Sequence, residues 1–553
     1  MGTRAALTSA RRRALLLAGA CAPLAACAPS ASEPRWTGGW VGADAALGHR
    51  MRDPAALLAR APGVRRRATV LVVGGGIAGL GAARALVRAG IDDVHLLELE
   101  GNAGGNSRGH VIDGLACPLG AHYLPLPGPA ATEVIELLEA LGLRNTENGV
   151  PVYDERTLCH SPQERLWLDG AWYEGFLPPI DALPAAERTA ALADYQRFHA
   201  AVERLGAGDG FVIPTARARW GDVQAALDGT TFAQWLDAEG LHAPALRWYL
   251  DYCCRDDYGA GAAQVSAWAG IHYFASRHGF RAPGGDGPEE RDGVLTWPEG
   301  NAWLARRLAA PLKEQLHTGR LALRVEEGRH EVTVDAWDAA TQQVERWTAT
   351  HVILALPLFI AARLVVSPSP ALVAAAAATR HAPWLVANLH VARALDDRPG
   401  AAPAWDNVAY GSPTLGYVDA THQSLLPYAG ATVLTAYWAL GGDDAAQLAV
   451  QRKRLLDASW RAWAEAVLAD LAPLHPDLPA KVTRIDLMRY GHAMSVPVPG
   501  LRGSPALAAL AATPGRVQHA HADLSAYSIF EEALYHGTRA ARTVVEGLRA
   551  AVA

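Results

Sequence analysis

Residues 68–73, Ala-Thr-Val-Leu-Val-Val, run straight into Gly74-Gly75-Gly76-Ile77-Ala78-Gly79, and a helical apolar pattern over residues 80–89 follows at once and closes at Gly90. A nearly continuous β-branched and apolar run without polar alternation describes a strand buried on both faces, as parallel sheets require. Such a strand turning sharply into a helix commits the chain to an α/β fold. The glycines have separate tasks. Gly74 makes the tight turn, Gly76 lets a pyrophosphate approach the backbone, and Gly79 lets helix and strand pack closely. With Ala78 in the first turn, the helix N-terminus receives the phosphates. A second strand over residues 94–98 ends in Glu98, about twenty residues past the last glycine, where a carboxylate accepts ribose hydroxyls and repels a 2′-phosphate. Strand, glycines, helix, strand and acid in this order make a Rossmann-type dinucleotide site, which NAD and FAD both satisfy.

The chain has 553 residues, enough for more than one domain, and half of them are hydrophobic, which excludes a disordered polymer. Fifty cations against 56 anions give a net charge of −6, and no long basic tract lies beyond the N-terminus. Wholesale nucleic-acid binding is therefore excluded, and a small-molecule substrate is expected. Lysine occurs at Lys313, Lys453 and Lys481 and nowhere else. The six cysteines show no CxxC spacing, and His519 and His521 share a strand face without carboxylate or thiol partners, so no metal site is expected.

Arg11-Arg12-Arg13 precedes an apolar run over residues 14–26 that is too short for a normal membrane span. Residues 1–27 read as a signal peptide, with the arginine pair of the twin-arginine route. Leu24-Ala25-Ala26-Cys27 resembles a bacterial lipobox, with Cys27 as the lipidated residue. The expectation is an exported lipoprotein on the periplasmic side of a bacterial membrane, anchored through lipid only. Residues 28–65 read as a tether with one short helix, in which Asp53 is the cap and Pro54 the first helical residue.

Gly104-Gly105-Asn106-Ser107-Arg108 follows Glu98, and Asp113-Gly114-Leu115-Ala116-Cys117-Pro118-Leu119-Gly120-Ala121-His122-Tyr123 follows that. Here the chain resembles the flavin-containing amine oxidase superfamily, which includes monoamine and polyamine oxidases, phytoene desaturases and protoporphyrinogen oxidases. The resemblance implies FAD as the cofactor. It places Gly104 and Gly105 at the FAD diphosphate, with Asn106 where the family commonly carries arginine and Arg108 two positions on. It passes Gly120 and Ala121 along the flavin ring and sets the backbone of Val325 at the adenine. Near the C-terminus it puts Asp523 at the ribitol, ahead of a helix containing Glu531, Glu532 and Gly537, with His521 and Glu532 standing where the family has glycines. Many members also hold a lysine whose water bridges to flavin N5, and none of the three lysines falls in the strands expected at residues 385–391 and 431–438.

The FAD segments fall at 66–125, 295–365 and 485–553, so the fold class is a discontinuous Rossmann-type FAD domain interleaved with an α+β substrate domain of 126–294 and 366–484. Residues 126–290 read as largely helical, at 131–143, 185–205 and 231–250, and 283–293 as an exposed loop. A long helix is expected over 443–471. Trp248, Tyr249, Tyr252, Tyr258, Trp268 and Tyr273 read first as core packing and second as a pocket wall. Cys253-Cys254 reads as two buried thiols, with a strained vicinal disulfide as the alternative. His122, Tyr123 and His492 are candidate catalytic groups, since an imidazole titrates near neutrality, with a structural hydrogen bond as the competing role for each histidine. The expected function is FAD-dependent, amine-oxidase-like hydride transfer from a substrate carbon to flavin N5, with oxygen or a quinone as acceptor. The alternatives are a desaturase or dehydrogenase feeding a quinone or protein acceptor, and a non-catalytic dinucleotide-binding lipoprotein.

Overall fold

The strand Val64–Val73 lies between parallel neighbours, Val94–Leu97 and Gln343–Leu354, and the register pairs Val73 with both Leu97 and Leu354. All three strands therefore end level at Gly74, which opens a crevice at their carboxyl edge. Val70, Leu71 and Val72 have no exposed surface, as the unbroken apolar run requires. These strands belong to a seven-stranded mixed sheet completed by Leu316–His317, Arg320–Glu327, Val332–Asp338 and Val517–His519. The computed structural model describes residues 36–283, 293–424 and 430–550. The signal peptide, Cys27 and nearly all of the loop expected at 283–293 lie outside them.

Helix Ile77–Arg88 follows the glycine turn and is covered by the long C-terminal helix Phe530–Ala550. The approach of the two helices depends on Gly537, where a Cβ would lie 2.0 Å from the Ala78 carbonyl oxygen, and the packing of the first helix on its own turn depends on Gly79, where a Cβ would lie 1.9 Å from the Gly74 carbonyl oxygen. Val70, Val72, Leu80, Leu86 and Leu534 pack into the core between sheet and helices.

A second, eight-stranded sheet is built around His381–Val391, which is buried along its whole length and pairs antiparallel with Thr432–Ala439 and Val482–Ser495. The sheet continues through Tyr417–Asp419, Asp406–Ala409, Glu164–Leu168 and Ala171–Glu174, and Thr37–Trp40 stands at its other edge. Helices Arg188–Gly206, Pro244–Tyr258 and Ala267–Tyr273 pack their aromatic faces beside it, with Phe198, Tyr258 and Trp268 fully buried.

Several boundaries differ from the expectation. Residues 482–495 belong to the second sheet, so the last FAD-side segment begins after Ser495. Helix Pro370–Ala378 packs through Leu372 and Ala375 onto Leu507 and Leu510 in the core of the first sheet. Residues 126–290 carry two hairpins, Arg144–Glu147 with Val150–Tyr153 and Glu164–Leu168 with Ala171–Glu174, because short β-prone runs flank Asn148-Gly149 and Asp169-Gly170 turns. The long helix breaks into Ala445–Asp457 and Trp460–Leu471, where Ser459 leaves the helix and its side chain caps Ala462. The tether is folded from Thr37 onward: helices Ala45–His49 and Ala55–Leu58, with the turn Arg50–Arg52 between them, bring Leu47, Met51, Leu57 and Leu58 onto Leu321, Leu323, Trp337 and Val344. Four apolar residues at helical spacing outweigh the segment's loop-like composition, and Pro54 serves as the cap of the second helix.

Candidate active site

The glycine turn leaves the amides of Ile77, Ala78 and Gly79 without an acceptor among the described residues. A Cβ on Gly76 would meet nothing nearer than the Gly105 Cα at 3.9 Å, so the space in front of these amides is free of protein. Gly104 and Gly105 have φ of +134° and +58°, and the Gly104 amide donates to the Gly75 carbonyl at 2.8 Å. Two glycine-rich loops thus form one cradle. Glu98, 8% exposed, closes it: its carboxylate accepts the Gly75 amide at 2.7 Å and the Glu100 amide at 2.8 Å. Burial raises its pKa, opposed by those two amides and by Arg108. A pyrophosphate against free helix amides and a ribose against Glu98 fit this arrangement.

The remaining expected cofactor residues are distributed as follows. Asn106 donates to the Ala493 carbonyl at 2.7 Å and its own carbonyl accepts the Ala121 amide at 2.8 Å, which fixes Gly120-Ala121 beside the loop. A Cβ on Gly120 would lie 2.2 Å from the Asn106 oxygen. Arg108 bridges the Gly105 and Gly42 carbonyls at 2.9 and 3.1 Å, so its guanidinium braces the loop. Val325 is fully buried and its carbonyl accepts the Val366 amide at 2.9 Å. Asp523 is also fully buried. Its carboxylate accepts the Leu358 amide at 2.9 Å and contacts His381 at 3.0 Å and His521 at 3.2 Å, and these two imidazoles outweigh burial and hold its pKa well below the usual range.

Next to Gly120 and Ala121 opens a cavity. One wall is glycine strand and loop: Asn106, Gly120, Ala121, Tyr490 and Ala493. The opposite side is aromatic, from His122, Tyr123, Trp384 and Tyr437. Tyr437 and Tyr490 donate their hydroxyls to the Gly120 and Leu119 carbonyls at 3.0 and 2.7 Å. His122 stacks on Tyr437, with ring centroids 4.4 Å apart, and burial pushes its pKa down to about 3, so the ring is neutral at physiological pH. His122 is thus a flat apolar surface and a poor proton acceptor, while burial raises the Tyr123 hydroxyl well above its ordinary pKa.

His492 does not reach the cavity. Strict alternation from Tyr490 would point it inward, but the pairing with His381–Val391 slips between Ala382 and Trp384. The slip inserts residues into the strand, carries Ala493 and Met494 to the cavity and turns His492 out against Phe359 at 4.6 Å. Tyr252, Tyr258 and Trp268 serve as core, and Cys253 and Cys254 are free buried thiols.

Sequence reading missed the charged wall. Asp256 and Asp257, at the end of helix Pro244–Tyr258, face the cavity with Arg277 and Glu531. Arg277 sits in a π-helical turn, Phe274–His278, and its guanidinium reaches Asp257 at 3.1 Å, the Tyr527 hydroxyl at 2.6 Å and Glu531 at 3.5 Å. Tyr527 in turn donates to Asp257. The signal available was a pair of acids next to Arg255 in the tyrosine- and cysteine-rich stretch Tyr252-Cys253-Cys254-Arg255-Asp256-Asp257-Tyr258.

A family profile described as flavin containing amine oxidoreductase matches residues 77–545. The chain belongs to this family. It is an FAD-dependent oxidoreductase, in keeping with the cradle described above. The fold is shared with putrescine oxidase solved with putrescine bound, at 18% identity and TM-score 0.61, over 87% of this chain and 100% of that one. Cyclohexylamine oxidase from Brevibacterium oxydans gives 18%, 0.62, 87% and 99%. A fatty acid isomerase from P. acnes that produces CLA gives 14%, 0.56, 85% and 97%. Comparison with curated proteins finds no match.

Proposed function

We propose that this flavoenzyme is an amine oxidase, removing a hydride from the carbon beside a substrate nitrogen and returning the electrons to oxygen. The observation that carries this reading is the charge of the cavity: three carboxylates, Asp256, Asp257 and Glu531, face one guanidinium, Arg277, behind aromatic walls. Such a lining attracts a cation and disfavours a carboxylate, because Arg277 is already held by Asp257 and Glu531. FAD, when bound, supplies the two-electron acceptor. Residues Gly74 to Gly79, Gly104, Gly105 and Glu98 would hold its diphosphate and adenosine ribose, and the backbone around Gly120-Ala121 would flank its ring. The protein's part is to orient the donor carbon and exclude water. Tyr437 and Tyr490 pin the strand that forms the floor, and the neutral faces of His122 and Tyr437 confine the substrate.

No lysine lines this cavity. Lys453 pairs with Asp457, Lys481 with Asp396 and Asp477, and Lys313 lies in the turn Ala310–Gln315. A water-bridging lysine is therefore missing, which favours keeping a second reading, electron delivery to a quinone or protein acceptor. Purified protein is expected to release peroxide in an amine-dependent reaction. Rapid amine-dependent quinone reduction without peroxide would replace oxygen as the acceptor, and no turnover of any amine with either acceptor would remove the amine reading.

We further propose export as a lipid-anchored protein, supported by Arg12-Arg13 and the Leu24-Ala25-Ala26-Cys27 pattern. Exchanging Arg12 and Arg13 for lysine is expected to stop export in a host with the twin-arginine system. Unchanged export would contradict that route.

A further inference from the structure

We propose that a second, apolar cavity behind Arg277 and Glu531 is the site through which dioxygen reaches the reduced cofactor, apart from the cavity that takes the amine. The inference rests on oxygen as the electron acceptor in the reading above and adds where it enters. Arg277 and Glu531 line both cavities, so one buried ion pair forms the partition between them. On the amine side that partition adjoins Ile529 and Phe530, which share the lining with Gly120 and Ala121. Behind it the character of the wall changes. Leu126, Pro127, Pro129 and Ala131, from the segment joining strand Tyr123–Pro125 to helix Thr132–Ala140, line the second cavity together with Val212 and Ile213. The polar side chains among its described lining residues are Arg277, Glu531 and Ser276, and the Ser276 hydroxyl is spent, donating to the His272 carbonyl at 2.7 Å.

The two linings select different solutes. A space walled by proline, alanine and aliphatic side chains offers nothing to an ammonium or a carboxylate, whereas apolar cavities stay dry and take small apolar molecules, xenon among them. Dioxygen is small, uncharged and apolar. In the oxidative half of the reaction it takes two electrons from the reduced cofactor and two protons and leaves as hydrogen peroxide. At that stage the oxidised product, or a further amine, occupies the aromatic and acidic cavity. A separate approach frees the second half of the cycle from the traffic of the first.

The partition itself discriminates by charge. Arg277 and Glu531 face each other at 3.5 Å, and Arg277 also holds Asp257 and the Tyr527 hydroxyl. An ammonium arriving from the apolar side meets a guanidinium and finds its carboxylates already engaged, and an anion meets Glu531. An uncharged diatomic needs side-chain motion alone, on the nanosecond scale. Arg277 stands in the π-helical turn Phe274–His278, an irregularity of the kind found at functional sites. Gly128 gives access to the cavity for a test. It is a lining residue, its φ is not positive, and a Cβ there has no neighbour within 4 Å, so Gly128→Leu puts a side chain into the space without backbone strain.

The FAD-loaded protein is reduced by light without air and mixed with oxygenated buffer, and the return of the visible flavin band is followed. In Gly128→Leu the second-order rate of reoxidation is expected to fall about tenfold, as it does when a route is open a tenth as often, while anaerobic reduction by an amine is unchanged. Crystals of the wild type under xenon should hold the gas beside Ala131 and Ile213, and those of Gly128→Leu should not. tert-Butylamine, which has no hydrogen on the carbon beside nitrogen, should leave wild-type reoxidation unchanged at concentrations that perturb the flavin band. If Gly128→Leu does not fold, the xenon and tert-butylamine measurements on the wild type decide. Equal reoxidation of Gly128→Leu, a second cavity without xenon, or reoxidation blocked by tert-butylamine overturns the inference and leaves amine oxidation intact. A reduced wild type that does not react with dioxygen removes oxygen as the acceptor, and this inference with it. Failure of every amine to reduce the flavin overturns the amine reading alone, because reduction by light does not call on it.

Discussion

Gly76→Val is expected to give a folded protein that carries no FAD. The position has φ of −71°, which valine adopts without strain, and a Cβ there has no protein neighbour nearer than 3.9 Å. The added side chain therefore leaves the fold alone and fills the space in front of the free helix amides, where the pyrophosphate belongs. Gly79→Val supplies the contrast. Its Cβ would lie 1.9 Å from a carbonyl oxygen, so that variant should fail to fold. Visible absorbance of the purified protein, together with circular dichroism, separates the outcomes. A yellow Gly76→Val protein with full flavin content would show that the cradle does not hold the diphosphate.

Arg277→Met should be the most destabilising of the conservative changes in the cavity wall. The guanidinium is 9% exposed and its partners Asp257 and Glu531 are 5% and 4% exposed, so removing it strands two carboxylates with little water. Breaking a buried ion pair from one side costs about 3–5 kcal/mol. The loss carries a pH signature. A carboxylate left unpaired in the interior has a folded-state pKa above its unfolded value, and stability then falls as pH rises through that window. The midpoint of denaturant unfolding should therefore drop markedly at pH 8 and much less at pH 5, and adding Asp257→Asn should recover part of it. A midpoint equal to the wild type at pH 8 would mean that the network contributes nothing to stability.

The glycine cradle was legible in the sequence because its chemistry is local. Gly74 to Gly79 and Glu98 sit in one strand-turn-helix-strand unit, and each glycine answers a contact within a few residues or with the next loop. His122 and Tyr123 were found for the same reason, as they continue the Gly120 strand, yet the sequence carried no sign that burial would keep His122 neutral. The acidic wall was hidden because it is assembled from distant parts: Asp256 and Asp257 from one helix, Arg277 from a π-helical turn, Glu531 from the C-terminal helix. His492 shows a different failure. It lies two residues past Tyr490, which lines the cavity, and a register slip that no local pattern announces turns it away.

Burial of the cavity acids also bears on the missing lysine. With no lysine in the wall, its ionisable groups are carboxylates, one guanidinium, His122 and tyrosines, and burial keeps His122, Tyr123 and Tyr437 neutral. Burial and Asp257 raise the Asp256 pKa to about 7, whereas burial lowers that of His122 to about 3.

The segment that composition suggested was a leash behaves as a clasp. Gly42 takes a hydrogen bond from Arg108, which also holds the Gly105 carbonyl, and the Asp44 amide donates to the carboxylate of Glu100, two residues past Glu98. Pulling on the chain just ahead of Val41 therefore loads the Gly104-Gly105 loop of the cradle. A chain trimmed to begin at the first strand of the Rossmann unit would lose that brace and bare Leu321, Leu323, Trp337 and Val344. Length upstream of the glycines thus braces the glycine cradle, and any minimal version of this enzyme has to start before residue 41.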